Sequence, residues 1–175
     1  MATADRQGRR TMELSMRLWT VLLLILMPFS AFGHEQADLV LVVKSRAKLY
    51  LMKNGKMMDV YRVALGANPK GKKLQEGDQR TPEGRYILDY KKEDSAFYKA
   101  IHISYPNAAD MRRARTMGVD PGGMIMIHGH KSGFEWLSRL KEPYHWTDGC
   151  IAVSNSAMDA IWEAVTVGTP IIIRP

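Results

Sequence analysis

The chain has 175 residues, 25 lysines and arginines against 18 aspartates and glutamates, and a single cysteine, Cys150. This length suits one domain with one hydrophobic core, and a lone cysteine excludes an intramolecular disulfide framework. The formal net charge of +7 is compatible with a negatively charged wall or membrane surface as partner, although ordinary solubilising charge explains it equally well.

The first 33 residues have the pattern of a secretory signal peptide. Arginines precede an apolar block from Leu18 to Met27, and Ala31-Phe32-Gly33 puts small residues at the two positions that a signal peptidase reads. The block spans about 15 Å, roughly half the hydrocarbon core of a bilayer. We therefore expect export to the periplasm with cleavage before His34, no stable membrane span afterwards and no nucleic-acid partner. An uncleaved membrane anchor is the alternative.

The remaining residues, 34–175, contain many short strand patterns separated by turns. Asn54-Gly55 stands between two of them and is the strongest short signal for a β-hairpin, because both turn positions require positive φ. A long polar loop with several glycines and two prolines follows, from Gly66 to Gly84, and long ordered loops are often functional. The predicted strands are Asp38 to Lys44, Lys48 to Lys53, Lys56 to Leu65, Arg85 to Tyr90, Ala100 to Tyr105, Met124 to His128 and Thr169 to Arg174.

Two segments have helical patterns. Ala108 to Thr116 is a short basic helix candidate that Gly118 ends, and the main helix runs from a cap at Ser156 to about Val165. Asp159, three residues after that serine, predicts a capping box. Many short strands, one main helix near the C-terminus and long loops predict a mostly β domain, either a sandwich or barrel-like.

Cys150 is the candidate nucleophile. It follows Gly149, whose lack of a side chain leaves room for backbone N–H groups to face a developing oxyanion. The buried strand pattern that ends at His128 holds an imidazole rigidly, so His128 is the preferred base, with His130 and His145 as alternatives. An adjacent imidazolium lowers a cysteine pKa from about 8.5 to roughly 3.5–7.5, so we expect a depressed thiol pKa.

Two other readings of these residues stay open. His128, His130, His145 and Cys150 could hold a zinc ion, but their spacing matches no recognised ligand signature. Alternatively, the cysteine is a buried inert side chain and the histidines bond to loops, which does not explain why they cluster around the only thiol. His102 alternates within a strand pattern and is expected to be structural.

Three motifs, taken in order along the chain, resemble the L,D-transpeptidase catalytic domain family, also called YkuD. They are GDQRTPEG at 77–84, Ile127-His128-Gly129, and Thr147-Asp148-Gly149-Cys150-Ile151 with Asn155 beyond. The resemblance covers Leu39 to Arg174. In the third motif, Asp148 stands where the family commonly has histidine and Ala152 where it commonly has arginine, a form that resembles a recurring branch of the family.

The resemblance implies a periplasmic cysteine enzyme of the cell wall that requires neither a metal nor an organic cofactor. Cys150 would attack the carbonyl of a diaminopimelate residue in a peptidoglycan stem peptide and expel D-alanine, which leaves a thioester. His128 would activate the thiol, the carbonyl of Gly129 would orient that histidine, and the N–H groups of Gly149 and Cys150 would form the oxyanion hole. An amine from a second stem or a wall-linked protein would then accept the acyl group. A hydrolase that uses water instead, and a non-catalytic wall-binding module, are the alternatives.

Three further residues are candidates for binding the substrate. Because Ala152 is uncharged, another cation must meet the substrate carboxylates, and Arg80 is the first candidate, with a loop-stabilising hydrogen bond as the alternative. Trp146 would either wall the acyl pocket or pack beneath its loop. Asp148 would either orient a histidine or cap a turn before Gly149.

Overall fold

The computed structural model describes residues 35–131 and 145–175. The expected signal peptide, residues 1–33, lies outside the described residues, and its cleavage stays a prediction. In the described ranges, eight strands form one mixed sheet and two α-helices accompany it. The mostly β fold, with a helix near the C-terminus, is confirmed.

The sheet is ordered β3-β2-β1-β8-β4-β5-β6-β7. The neighbours β1 and β8 run parallel, as do β6 and β7, and the other pairs are antiparallel. A short 3-10 turn at Lys44–Arg46 follows the first strand, and the helices are α1 (Ala108–Met117) and α2 (Asn155–Ala164). The strands are β1 (Leu39–Val43), β2 (Lys48–Lys53), β3 (Lys56–Arg62), β4 (Gly84–Ser95), β5 (Tyr98–Ile103), β6 (Met126–His128), β7 (Ile151–Ala152) and β8 (Pro170–Arg174).

The first hairpin forms as its sequence predicts. Asn54 and Gly55 have φ of 50° and 74°, the left-handed values that a tight hairpin turn requires. Along β1, alternate residues are buried, and Val40 and Val42 are fully inside the core. The alternation shows that one face of this strand packs on the core while the other is partly open to solvent.

Strand β4 joins the two halves of the sheet. Its first residues, Gly84 to Ile87, pair with β8, whereas the residues from Leu88 onward pair with β5. The register with β5 shifts between Leu88 and Lys91, which is the mark of a β-bulge. Bulges bend a strand, so β4 can serve both halves, and the second half carries the strands β5, β6 and β7 around the candidate site.

Helix α1 agrees with its prediction. The side chain of Asn107 accepts hydrogen bonds from the N–H groups of Ala109 and Asp110. The carboxylate of Asp110 accepts one from the Asn107 N–H, which completes a capping box. Gly118 ends the helix with φ of 67°. Both ends of α1 are therefore fixed by local chemistry.

For helix α2 the predicted cap at Ser156 is wrong. Ser154 is the N-cap, and its hydroxyl accepts a hydrogen bond from the N–H of Ala157. With Ser154 as the cap, the third helical position is Ala157, so Asp159 cannot close a capping box. Its carboxylate accepts hydrogen bonds from Tyr98 and Lys99 on β5.

The hydrophobic core lies between the sheet and α2. Branched aliphatic residues dominate it, and their burial is the main favourable term in folding. No helix in residues 35–131 or 145–175 is long and apolar enough to cross a membrane. The largest fully buried side chains are Leu49, Leu51, Leu65, Leu88, Ile101, Ile103, Ile127, Ile151, Met158, Ile161, Ile171 and Ile173.

Candidate active site

Strands β6 and β7 bring Cys150 and His128 onto one face of the sheet. They run parallel with Ile127 opposite Ile151 and His128 opposite Ala152. Cys150 immediately precedes β7, two residues before Ala152, so its side chain shares the face of His128. From a strand spacing of about 4.8 Å and a rise of about 3.3 Å per residue, their α carbons are roughly 8 Å apart, as diagonal neighbours.

The thiol of Cys150 lies against the backbone of the segment that leads into β6. Its Sγ donates a hydrogen bond to the carbonyl of Met124 at 3.7 Å. Burial raises the pKa of Cys150 above its ordinary value; the N–H of Met126 favours the thiolate, and the charge of Asp148 opposes it. The expected depression of the thiol pKa is therefore not found, because desolvation outweighs the favourable contacts, and the resting side chain is a neutral thiol.

His128 is a buried neutral base. Only 6% of the residue is exposed, and its Nδ1–H donates to the carbonyl of Gly129 at 2.7 Å, which leaves the lone pair on Nε2. Burial lowers the pKa of His128, the bond to Gly129 acts in the other direction, and His130 adds to the lowering. A neutral imidazole with a fixed tautomer is the form that can accept a proton from a thiol.

The position of Gly129 is sterically defined. A Cβ added there would lie 2.5 Å from Oδ1 of Asn155 and 3.0 Å from Cβ of Tyr98, so no larger residue fits without a shift. The same Asn155 oxygen accepts a hydrogen bond from the N–H of His130 at 2.7 Å. Asn155 thus fixes the chain after β6 and with it the carbonyl that holds His128. The sequence drew attention to Asn155 only through its motif.

Gly149 occupies a position that only glycine suits. Its φ is +123°, and an added Cβ would lie 2.7 Å from the backbone carbonyl of Arg80 and 3.2 Å from the side chain of Ile125. The loop before β4 therefore packs directly against the turn that carries Cys150.

Thr147 holds this turn in place and was missed by the sequence analysis. Its hydroxyl donates to the carbonyl of Cys150 at 2.7 Å and accepts from the N–H of Gly149 at 3.2 Å. The residue is only 4% exposed. A buried threonine three residues before a reactive side chain can bond locally to the backbone, and this was the available signal.

Arg80 and Asp148 each contact a neighbouring loop of the protein, and neither contact indicates a substrate. The guanidinium of Arg80 donates to the carbonyl of Lys72 at 3.4 Å and packs near Gly71, which matches the loop-stabilising alternative. Asp148 is exposed and accepts from Gln79 at 3.5 Å, and among the described residues it bonds to no histidine. Its orienting role is therefore not found, and a substrate role for either residue stays a prediction.

Trp146 covers the space in front of His128. Its ring centroid is 6.1 Å from that of His128, 5.9 Å from His130 and 6.4 Å from Phe97. The ring centroid of Phe97 is 4.9 Å from that of His128, so the three rings form a cluster. These rings limit water around the imidazole, and the prediction that Trp146 either walls the acyl pocket or packs beneath its loop stays a prediction.

Two other histidines, the alternative base His145 and the expected structural residue His102, occupy other environments. His145 accepts a hydrogen bond at Nδ1 from the N–H of Leu65 at 3.1 Å, and burial lowers its pKa, with the charge of Lys44 acting in the same direction. His102 bonds to Asp89 at 2.6 Å. Among residues 35–131 and 145–175, no three His, Cys, Asp or Glu side chains come together as a metal site requires.

A protein-family model and a protein of Escherichia coli match the sequence of this chain. The model of the YkuD family, described as the L,D-transpeptidase catalytic domain, matches residues 37–173. YafK of Escherichia coli K12, named as a candidate L,D-transpeptidase, is 33% identical over 112 residues, which is 63% of this chain and 38% of that protein.

Solved structures agree on the fold. The helical cell shape determining protein Pgp2 of Campylobacter jejuni superposes with a TM-score of 0.60 at 28% identity, over 80% of this chain and 48% of that one. Bd1075 of Bdellovibrio bacteriovorus superposes with a TM-score of 0.55 at 22% identity, over 82% and 50%. The chain thus spans about half or less of the length of these relatives.

Proposed function

Because this chain belongs to the YkuD family of L,D-transpeptidase catalytic domains, we propose that it is a cysteine acyltransferase acting on peptidoglycan stem peptides outside the cytoplasm. The observation that carries the proposal is the shared sheet face of Cys150 and His128, with the histidine tautomer fixed by Gly129. Nucleophile, base and orienting group are the three parts that a covalent acyl transfer requires.

The first half of the reaction forms a thioester. As Sγ of Cys150 attacks the carbonyl carbon of a diaminopimelate residue, its proton passes to Nε2 of His128. The resting thiol is neutral because burial raises the pKa of Cys150, so proton transfer and attack occur together. The bond to D-alanine then breaks, and His128 returns the proton to the departing amine.

The oxyanion of the tetrahedral intermediate faces the N–H groups of Gly149 and Cys150 in this proposal. The Gly149 N–H already donates to Thr147 at 3.2 Å, a long bond that a charged oxygen can share or displace. Loss of one oxyanion donor typically raises the barrier by about 2.7–4 kcal/mol. The fixed turn therefore contributes preorganised donors.

The second half of the reaction transfers the acyl group to an amine. His128 takes a proton from the incoming amine, the amine nitrogen attacks the thioester carbon, and the carbon–sulfur bond breaks to restore the thiol. A second stem peptide gives a cross-link, and a wall-linked protein gives an attached protein. Either product would remodel the cell wall and bear on cell shape.

The test is the product spectrum from a tetrapeptide muropeptide. A transpeptidase gives D-alanine and a joined dimer, whereas a hydrolase on the same scaffold gives D-alanine and tripeptide only. A wall-binding module gives neither product. Retained D-alanine release by the Cys150→Ala protein would overturn the assignment of the nucleophile.

We also propose that the chain is exported and cleaved before His34, on the basis of its leader pattern. Mass spectrometry of the protein from a periplasmic fraction should give a mass that starts at His34. A mass that retains the apolar block, in a membrane fraction, would support the uncleaved anchor instead.

A further inference from the structure

A second pair of titratable side chains lies on the same sheet face as Cys150. His102 on β5 is directly opposite Met126 on β6, and by the β6–β7 register Met126 is in turn opposite Cys150. The three residues thus form one row across the sheet. Two strand spacings separate the α carbons of His102 and Cys150, roughly 10 Å.

His102 is held firmly but keeps one polar atom available. Its Nδ1 is 2.6 Å from a carboxylate oxygen of Asp89, and the ring of Tyr90 stacks on it with centroids 4.5 Å apart and planes inclined by 13°. Among the described residues, Nε2 has no hydrogen-bond partner and is not an enclosed buried atom. The Asp89 side chain is 40% exposed, so it too can accept further hydrogen bonds.

An apolar surface connects this pair to the thiol. Met124 is 65% exposed, its carbonyl accepts from the thiol of Cys150, and its Sδ is 3.9 Å from the hydroxyl of Tyr90. The half-buried Met126 lies on the same face. A ligand that reaches from Cys150 to His102 would therefore cross methionine side chains and end at an imidazole and a carboxylate.

We propose that Asp89 and His102 bind the distal amino-acid end of the diaminopimelate side chain in the acyl donor. This proposal rests on the proposed function, in which Cys150 attacks the carbonyl at the near end of that residue. In the bound complex that we propose, the ring takes up a proton from water as the distal carboxylate arrives, so that His102 donates Nδ1–H to Asp89 and Nε2–H to that carboxylate, while Asp89 accepts from the distal ammonium.

The length of the ligand fits the roughly 10 Å between His102 and Cys150, because the carbon chain is extended at one end by the bond to sulfur and at the other by the carboxylate and its hydrogen bond. Five carbon–carbon bonds of about 1.5 Å join the reacting carbonyl carbon to the distal α carbon, which is roughly 6 Å in extended form. The three methylene groups of the linker would lie on Met124 and Met126, whose thioethers adapt to irregular apolar shapes. The pair is too far from the reacting carbon to act on it, so it is a specificity site.

This site also offers a partner for a substrate carboxylate, which the positions of Ala152 and Arg80 do not offer. Ala152 has no charge and is 1% exposed beside His128, and the guanidinium of Arg80 is turned toward the carbonyl of Lys72. Among the described residues on this face, Nε2 of His102 is thus a nitrogen positioned to meet a substrate carboxylate once it carries a proton.

The experiment compares two tetrapeptides that differ only in the third residue, meso-diaminopimelate or L-lysine. Lysine keeps the ammonium but lacks the distal carboxylate. We expect the protein to favour the diaminopimelate peptide at least about tenfold in kcat/KM for D-alanine release. His102→Phe, which keeps a ring against Tyr90 but has no N–H, should remove that preference and leave the lysine peptide within about twofold, whereas Asp89→Asn should lower kcat/KM for both peptides.

Equal kcat/KM for the two peptides in the unsubstituted protein, or an equal loss for both in His102→Phe, would overturn the proposal. If no peptide is turned over, the proposed function fails, and calorimetric titration of the Cys150→Ala protein still tests the site. Tighter binding of the diaminopimelate peptide, abolished by adding His102→Phe, supports the site independently of catalysis. Equal binding of both peptides rejects it.

Discussion

Replacing Thr147 by valine should destabilise the turn that carries Cys150. Valine keeps the size of threonine but has no hydroxyl, so the N–H of Gly149 and the carbonyl of Cys150 each lose a partner in a largely water-free place. Each unsatisfied buried group costs about 1–3 kcal/mol, so the two together give a loss of roughly 2–6 kcal/mol in the free energy of unfolding. That is a large fraction of the about 5–15 kcal/mol typical of a domain.

Urea denaturation of Thr147→Val and Thr147→Ser measures this effect. Serine keeps the hydroxyl, so its free energy of unfolding should stay within about 1 kcal/mol of the original protein. We also expect kcat/KM for D-alanine release to fall at least about tenfold in the valine protein only, because the turn no longer fixes the nucleophile. Equal stability of the two variants, within about 0.5 kcal/mol, would refute the reasoning.

Three further predictions follow from the same geometry. Gly149→Ala should lower the free energy of unfolding by about 3 kcal/mol and abolish most D-alanine release, because its Cβ would lie 2.7 Å from a backbone carbonyl. The control Gly77→Ala has open space around its Cβ and should lose only about 1 kcal/mol in urea denaturation. The acidic limb of kcat/KM against pH should lie below about 6.5, because burial lowers the pKa of His128 and keeps it unprotonated, and a limb above that value would contradict the assignment. Lys44→Met should lower the free energy of unfolding by about 3–5 kcal/mol, because the buried ammonium bonds to two carbonyls and a carboxylate, whereas the exposed Lys48→Met should change it by less than about 0.5 kcal/mol by the same measurement.

Much of the fold could be predicted because the signals were local. The Asn54-Gly55 turn, the apolar run that forms β1 and the glycine that ends α1 each depend on residues within a few positions of one another. The parallel pairing of β1 with β8 and the bulge in β4 depend on contacts between distant segments. No short pattern contains that information.

The same distinction applies to the candidate site. The motifs identified Cys150, His128 and both glycines, and the structure gives each a defined geometry, although their catalytic roles stay proposals. The predicted lowering of the pKa of Cys150 was wrong, because the sequence suggested a charged partner but gave no measure of burial, which raises that pKa. Thr147 was missed because its two hydrogen bonds appear only once the turn is folded.

The central claim is that Cys150 becomes acylated by the stem peptide. The most direct test is intact-protein mass spectrometry after rapid mixing with a diaminopimelate tetrapeptide and an acid quench, followed by peptide mapping. We predict a mass increase equal to the tetrapeptide less one D-alanine, that is, the tripeptide less one water, located on Cys150 and absent from Cys150→Ala. Full D-alanine release without any adduct on Cys150, retained in Cys150→Ala, would contradict the account.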